Sequence, residues 1–355
     1  MMENSKRYSR QMALPEIGNL GQQKLLNANV LVIGAGGLGC PVVQMLAASG
    51  VGTLGIVDGD VVDETNLHRQ LLYTTDDCGK NKVDVAANAI QKTNSDVKVN
   101  IYPEFISESN IATIVKDYEI LVDCTDTIAT RYLINDISVQ LGKPMIYASI
   151  HKFEGQISVF NYQNGPTYRC LFPEKNSHEV PNCVTTGVLG VLPNTLGMLQ
   201  ATEVMKIILG IGEVLSGKLL IYNALNMSFN ELEFSRNEEQ INIGTKNGKQ
   251  LVNSKMQNHE VSKESFLGFC SNENYTIIDL REVHEIPKLN HKNIINISFL
   301  EIEKHLNKFN KDQPIILFCQ SGIRSKKALD LFLENGFTNI THLQKGIQNV
   351  QLEVI

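Results

Sequence analysis

The chain has 355 residues, 43% hydrophobic and 20% charged, with a formal net charge of −6. That length suggests about two domains, each able to bury its own core, and the composition excludes a mainly disordered chain. The acidic balance excludes a general basic surface for nucleic acid, and no stretch reaches the ~18 consecutive apolar residues of a membrane helix.

Residues 28–34 (ANVLVIG) form an unbroken apolar run with β-branched members, which predicts a buried strand. Helical spacing follows over 38–49, and 53–58 predicts a second strand. The spacing predicts a helix over 79–94 and a strand over 97–102. A further helix–strand pair ends at 119–123, followed by a helix over 130–141 and a strand over 144–150. Strands alternating with helices predict a mostly parallel sheet covered on both faces. From Glu154 the pattern changes, and 156–162, 218–222 and 228–234 predict antiparallel strands. Between them 188–209 predicts a long apolar helix that Pro193 and Gly197 bend or break early. Residues 235–257 are rich in Asn, Lys, Glu, Gln and Gly, which predicts an interdomain linker. A second alternation then begins, with strands over 275–279 and 314–319 and a helix over 325–334. The expected organisation is a first domain over 1–234, a linker over 235–257 and a second domain over 258–355.

The seven cysteines (Cys40, Cys78, Cys124, Cys170, Cys183, Cys270 and Cys319) are odd in number and scattered. They read as reduced thiols of a cytoplasmic protein rather than a disulfide framework. The segment MMENSKRYSRQM has no apolar core of a secretory signal.

Gly34-Ala35-Gly36-Gly37-Leu38-Gly39 joins a predicted strand to a predicted helix. Glycines there permit a tight turn and close approach of backbone to phosphate, and the helix N-terminus favours negative charge. Asp58 ends the next predicted strand, about 20 residues on, where a carboxylate takes ribose hydroxyls. A dinucleotide enzyme needs little more. Here Asn66, Arg69 and Gln70 cluster within about one helical turn, Lys82 follows in Gly-Lys-Asn-Lys, and Asp123-Cys-Thr-Asp126 ends a third strand. Cations and a carboxylate at the carboxyl edge of a parallel sheet suit a nucleoside triphosphate: Arg69 and Lys82 neutralise phosphate, and Asp126 suits Mg²⁺. An NAD-dependent oxidoreductase and a non-catalytic scaffold on a degenerate nucleotide fold are the competing classes. Arg69, Lys82 and Asp126 argue against both.

With these strings in place, residues 6–234 resemble the ThiF/MoeB family of adenylyltransferases, relatives of the ubiquitin-activating enzymes. The matching residues are Arg7-Tyr-Ser-Arg10-Gln, Val32 through Gly39, Asp58 through Gln70, Gly79-Lys-Asn-Lys82, Asp123-Cys-Thr-Asp126, Gly155-Gln, Tyr168-Arg-Cys-Leu171 and residues 183–206. The resemblance implies an enzyme that uses ATP and Mg²⁺ to adenylate the C-terminal glycine of a ubiquitin-like sulfur carrier ending in Gly-Gly, of the molybdopterin-synthase or thiamine type. It implies that Gly34, Gly36, Gly37 and Gly39 form the nucleotide loop and that Asp58 holds the ribose. Asn66, Arg69 and Lys82, with Gln70 beside them, would contact phosphates, and Asp126 would support the metal. Arg10 would reach the ATP of a partner subunit, hence a homodimer. Two departures stand out. The family's structural zinc site uses a pair of Cys-x-x-Cys motifs; here the first reads Thr167-Tyr-Arg-Cys170 and the second is missing, so no zinc site is expected and apolar packing is expected to clamp this region. Thr127 stands where many relatives have Asn. Cys183 matches a cysteine that in some members links covalently to the carrier; a loop thiol without that role is the other reading.

Cys319 ends a strand and opens Cys-Gln-Ser-Gly-Ile-Arg324 before a helix. Inward amides at a helix N-terminus stabilise an anionic sulfur. Four residues separate Cys319 from Arg324, a tighter loop than that of cysteine phosphatases. This stretch, with Asp279-Leu-Arg-Glu282 and Gly346-Ile347, resembles the rhodanese family over roughly residues 259–355. The expected fold is therefore α/β throughout: a Rossmann-like adenylyltransferase domain of the ubiquitin-activating type, then a rhodanese-like α/β domain. The combination implies carrier adenylation followed by sulfur transfer from a Cys319 persulfide. Arg324 belongs to the sulfur loop, and a cysteine desulfurase or thiosulfate is the sulfur donor.

Overall fold

The first apolar run becomes β1 (Asn29–Ile33), an inner strand of an eight-stranded sheet in a computed structural model. The structure describes residues 6–173, 187–254 and 259–349, apart from positions 271, 273, 290, 312 and 338. β2 (Thr53–Val57), β3 (Lys98–Tyr102), β4 (Ile120–Asp123) and β5 (Met145–His151) pair in parallel in the order β3-β2-β1-β4-β5. β6 (Glu154–Phe160), β7 (Lys218–Asn223) and β8 (Ser228–Glu233) extend the sheet antiparallel. A strand covered on both faces needs a near-continuous apolar run. Accordingly, Val30 and Val32 join one core with Leu46, Val83 and Leu196, while Leu31 and Ile33 join another with Ile114, Ile134 and Phe160.

α1 (Ser9–Met12) and α2 (Gly18–Asn27) precede β1. α3 (Gly39–Ala48), α4 (Lys82–Thr93), α5 (Ile111–Val115) and α6 (Ile128–Leu141) fill the crossovers. α7 (Tyr168–Leu171), α8 (Val191–Leu209) and α9 (Glu238–Ser254) complete the first unit, which spans Met1–Val252.

Two expectations are corrected here. The break predicted at Pro193 and Gly197 is absent, since α8 runs through both residues. Pro193 lies in the first turn, where a missing N–H costs nothing. Gly197 instead admits the neighbouring chain: a Cβ there would lie 2.4 Å from the Leu38 carbonyl oxygen. The segment 235–257, predicted as a linker, is mostly the helix α9. Its inward stripe is Ile241, Gly244, Gly248 and Leu251, all buried and at helical spacing. Half of that stripe is glycine, so the composition looks polar although the face is packed. Asn247 Nδ2 donates to Asp136 Oδ2 of α6 at 3.0 Å, fixing the register.

The second unit, Asn253–Ile355, is a separate parallel sheet. Its strands are β9 (Glu260–Val261), β10 (Thr276–Asp279), β11 (Ile294–Asn296), β12 (Ile315–Phe318) and β13 (Ile340–Leu343), in the order β11-β10-β12-β13-β9. α10 (Lys263–Cys270), α11 (Ile302–His305) and α12 (Ile323–Glu334) cover it. Ile315 and Leu317 pack with Phe332 on one face, Ile316 and Phe318 with Phe266 on the other. Among the described residues no helix is long and apolar enough to cross a membrane.

Gly248→Ala tests the reassigned helix. On an exposed helix this change stabilises, by up to ~1 kcal/mol. Here the new Cβ would lie 2.3 Å from the Asp136 carbonyl oxygen, and urea denaturation is expected to show a loss of about 1–3 kcal/mol instead.

Candidate active sites

The turn after β1 starts at Gly34, whose φ of +99° only glycine adopts without strain. A Cβ at Gly34 would lie 2.7 Å from the Cys124 carbonyl oxygen, and one at Gly39 would lie 1.9 Å from the Gly34 carbonyl oxygen. Gly36 and Gly37 lie between these two, beside Gln70 and Pro193. The loop then enters α3, whose N-terminus lies at the carboxyl edge of the sheet, where the helix dipole favours negative charge.

Asp58, at the end of β2, is buried and braces this turn. Its Oδ2 accepts from the Ala35 N–H at 2.7 Å and its Oδ1 from the Asp60 N–H at 2.8 Å. Burial pushes its carboxyl above the usual range, with Lys82 pulling the other way. The Tyr73 hydroxyl donates to the Ala35 carbonyl at 2.7 Å, so the turn is held from both sides. Lys82 is 4% exposed, with Nζ on Asp60 Oδ2 at 2.9 Å. Arg69 Nη2 donates to Asn66 Oδ1 at 2.5 Å and Nη1 to the Thr65 carbonyl at 3.2 Å. Gln70 is buried beside Gly36, and its Oε1 has no hydrogen-bond partner among the described residues. Asp126 is exposed just beyond β4, next to β1 in the sheet. Tyr73 and Asp60 carried no signal in the spacing of motifs.

Arg10 is not brought to this edge. It is exposed on α1, which packs at the far end of α3: Tyr8 lies against Gly50, and Asn94 Nδ2 donates to the Tyr8 hydroxyl at 2.7 Å. Cys183 lies outside the described residues.

A buried ion pair, unforeseen from the sequence, shapes the turn that carries Asp126. Asp123 Oδ1 accepts from the Thr125 N–H at 3.0 Å and its hydroxyl at 2.6 Å, while Oδ2 lies 3.7 Å from Arg131 Nε. Arg131 Nη2 donates to the Thr125 carbonyl at 2.9 Å. Burial drives the Asp123 carboxyl upward and Arg131 opposes it. Thr127 is the N-cap residue of α6, and its hydroxyl donates to the Thr130 hydroxyl rather than accepting from a helix amide.

Cys170, which ends the Thr167-Tyr-Arg-Cys170 string, lies on α7. Its Sγ accepts from the backbone N–H groups of Thr167 and Asn237, each at 3.3 Å. Among the described residues no three His, Cys, Asp or Glu side chains gather as a metal would need. Apolar packing does hold this region, with Tyr168, Leu171, Phe172 and Phe234 gathered around Phe160, and polar contacts reinforce it. Arg236 donates to the Asn164 carbonyl at 2.7 Å, and Arg169 grips Asp136 through Nε and Nη2 at 2.6 and 2.7 Å.

In the second unit, Cys319 follows β12 and is fully buried. Its Sγ accepts from the N–H of Gly322 at 3.2 Å and of Ser325 at 3.4 Å. The loop is tied from below, since Ile347 N–H donates to the Cys319 carbonyl at 2.9 Å and Gln348 N–H to that of Gln320 at 3.1 Å. Arg324 is bidentate to Glu285 at 2.6 and 2.7 Å, which pushes the Glu285 carboxyl down to about 2. Arg281 grips Asp279 and stacks over Phe318. Burial pushes the Cys40 thiol up to about 12 and that of Cys270 to about 11, so neither of these two ionises near neutrality.

The fold and the first site define an adenylyltransferase-type nucleotide-binding protein, with a thiol-bearing α/β unit behind it. Residues 8–243 match the ThiF family and residues 262–353 the rhodanese-like domain. The chain belongs to the ThiF family. It is similar to sulfur carrier protein adenylyltransferase of Thermus thermophilus, 47% identical over 241 residues, covering 66% of this chain and 89% of that protein. It is also similar to the probable adenylyltransferase/sulfurtransferase MoeZ of Mycobacterium tuberculosis, 37% identical over 367 residues, covering 97% of this chain and 92% of that one. Among solved structures, E. coli MccB with ATP aligns with a TM-score of 0.56 at 25% identity, covering 66% of this chain and 73% of that one.

The Arg324–Glu285 pair gives a signed pH prediction. A carboxylate depressed to about 2 contributes stability above its ordinary 4.5, and loses it as pH falls through that window. The stability gap between wild type and Glu285→Gln, measured by urea denaturation, is expected at pH 6 and should shrink steadily below pH 4.5. A constant gap would mean that packing, not charge, holds Arg324.

Proposed function

We propose that this protein adenylates the C-terminal carboxylate of a ubiquitin-like sulfur carrier ending in Gly-Gly and then passes sulfur to it through Cys319. One observation carries the reading: a single chain holds both a glycine turn flanked by Arg69, Lys82 and Asp126, and a thiol ringed by amides. The names of the similar proteins support it: one is a sulfur carrier protein adenylyltransferase, and the other pairs adenylyltransferase with sulfurtransferase.

In the first step a carrier carboxylate oxygen attacks the α-phosphorus of ATP and pyrophosphate leaves. The chain contributes positioning and charge, with no covalent residue required. Asp58 takes the ribose hydroxyls through lone pairs left over from the loop amides. Backbone from Gly34 to Gly39 approaches the phosphates. Arg69, steadied by Asn66, and Lys82, steadied by Asp60, take up phosphate charge, and Gln70 lies buried beside the turn. Asp126, an exposed carboxylate at the strand end, would hold Mg²⁺, an ion that takes one or two carboxylates plus phosphate oxygens and would supply charge neutralisation. Arg10, remote from its own chain's site, is assigned to the partner subunit's ATP in a homodimer.

In the second step the terminal sulfur of a Cys319 persulfide attacks the acyl carbon and displaces AMP, or displaces the Cys183 thiolate where Cys183 has first displaced AMP and holds the carrier as a thioester. An acyl disulfide joins carrier to Cys319. A thiolate then breaks the S–S bond, releasing carrier thiocarboxylate and forming a new disulfide. Arg324 keeps the loop in shape through Glu285. The persulfide is loaded from a cysteine desulfurase or thiosulfate, and Cys183 is the second thiol of the scheme, a covalent acceptor for the activated carrier. The carrier is of the molybdopterin-synthase or thiamine type, and the site of action is the cytoplasm.

Two variants separate the chemistries. Asp126→Ala is expected to cut carrier-dependent ATP–pyrophosphate exchange by about 100-fold or more; full exchange would remove Asp126 from the metal assignment. Cys319→Ala is expected to keep near-normal exchange yet stop thiocarboxylate formation from a persulfide donor, read by mass spectrometry of the carrier. Thiocarboxylate at the wild-type rate would rule Cys319 out as the sulfur relay.

A further inference from the structure

His342 on β13 is 3% exposed, and the scheme above gives it no task. Its Nδ1 lies 3.3 Å from Ser325 Oγ, and the Cys319 thiol points at that same Oγ at 3.6 Å. Its other nitrogen, Nε2, lies 3.8 Å from Glu260 Oε1 on β9. A line of side chains therefore runs from a fully buried thiol to a carboxylate whose side chain is 45% exposed.

The hydrogen count gives this line a direction. A neutral imidazole with its proton on Nε2, towards Glu260, leaves an Nδ1 lone pair facing Ser325. The serine hydroxyl then donates to Nδ1, and its oxygen accepts from the thiol. Ser325 Oγ has another acceptor 3.1 Å away, the Gly322 carbonyl, so the hydroxyl can turn without losing a partner.

We propose that Ser325 and His342 are positioning residues that relay the Cys319 proton inward, with Glu260 holding the ring. This rests on Cys319 being the thiol that carries sulfur. One proton leaves Sγ for Ser325 Oγ as the serine proton passes to His342 Nδ1. The S–H bond breaks, an N–H bond forms, and nothing is oxidised or reduced. The thiolate keeps its two amide donors, Gly322 and Ser325, and attacks the outer sulfur of the donor, whose departing group carries away the electron pair. The relay answers a geometric problem: the sulfur is buried, so bulk water is badly placed to take its proton. Groups facing the ring from every neighbouring element are Glu260 and His259 beside β9, and Lys326 and Asp330 on α12. Burial holds the ring below the usual histidine range, with Glu260 opposing, which leaves it neutral and able to accept a proton at pH 7.

The test is the pH dependence of Cys319 alkylation by iodoacetamide in the full chain, followed on the Cys319 peptide by mass spectrometry. His342→Asn and Ser325→Ala are expected to move the midpoint upward by about one pH unit, with rates converging at high pH. Glu260→Gln changes an exposed carboxylate and is expected to move it the same way by less, because a ring without Glu260 is a weaker base. It also serves as the decisive variant if His342→Asn does not fold. Wild-type midpoints in the folded variants would overturn the relay. Thiosulfate turnover that survives Cys319→Ala would instead overturn the sulfur assignment, while the alkylation profile still judges the relay.

Discussion

The nucleotide edge depends on how closely the turn after β1 passes the end of β4. At Gly34 the gap to the Cys124 carbonyl leaves no space for a side chain, and at Gly39 the turn closes on its own carbonyl. That closeness brings the Ala35 amide onto Asp58 at the end of β2. Three adjacent parallel strands are thereby fixed at the point where strand order reverses, the crevice where open α/β sheets bind ligands. α8 enters the same constraint from the antiparallel half, since Gly197 abuts Leu38 in the turn. The loop is held before any nucleotide arrives, so backbone amides meet phosphate without a reorganisation cost.

Around this edge the fold places buried charges in pairs. Asp136 accepts from Arg169, Asn135 and Asn247, tying α6, α7 and α9 together. Cys170 accepts one backbone N–H, that of Asn237, between α7 and the start of α9, and a second, that of Thr167, within its own turn. A buried ion pair is weak evidence for stability, because desolvation offsets most of its attraction. Its geometry is another matter: an isolated partner would be strongly penalised, so the three helices are allowed few alternative arrangements. A polar hub thus joins the apolar packing of Tyr168, Phe172 and Phe234 in holding the region where the family's pattern has a zinc site.

The strands and most helices were legible because their periodicity is local. β1, β2 and β4 are unbroken apolar runs, and the glycine turn and the Cys319 loop are short strings whose spacing states their geometry. Three things were not legible. α9 hides its packed face behind Gly244 and Gly248, which add closeness rather than hydrophobicity. Pro193 looks like a helix breaker until its place in the first turn is known. The partners that steady the sites, Asp60 for Lys82, Tyr73 for Ala35 and Glu285 for Arg324, come from separate elements, so only the fold joins them. The buried Asp123–Arg131 pair is the intermediate case: Asp123 lay inside a recognised string, but nothing in the string pointed to Arg131 on the next helix.

Both units put a turn at the carboxyl end of a parallel strand and run it into a helix, yet the two turns suit different ligands. In the first, glycines keep the centre of the turn clear, and cations arrive from other loops to meet a polyanion. In the second, the Cys319 sulfur itself takes the amides of Gly322 and Ser325, so the turn is filled by its own nucleophile. The nearby cations are already matched, Arg324 by Glu285 and Arg281 by Asp279. A cradle whose nearest arginines are matched by carboxylates leaves one anionic sulfur to be stabilised through hydrogen bonds. The electrophile and the nucleophile of the proposed reaction are therefore each prepared by their own sheet edge.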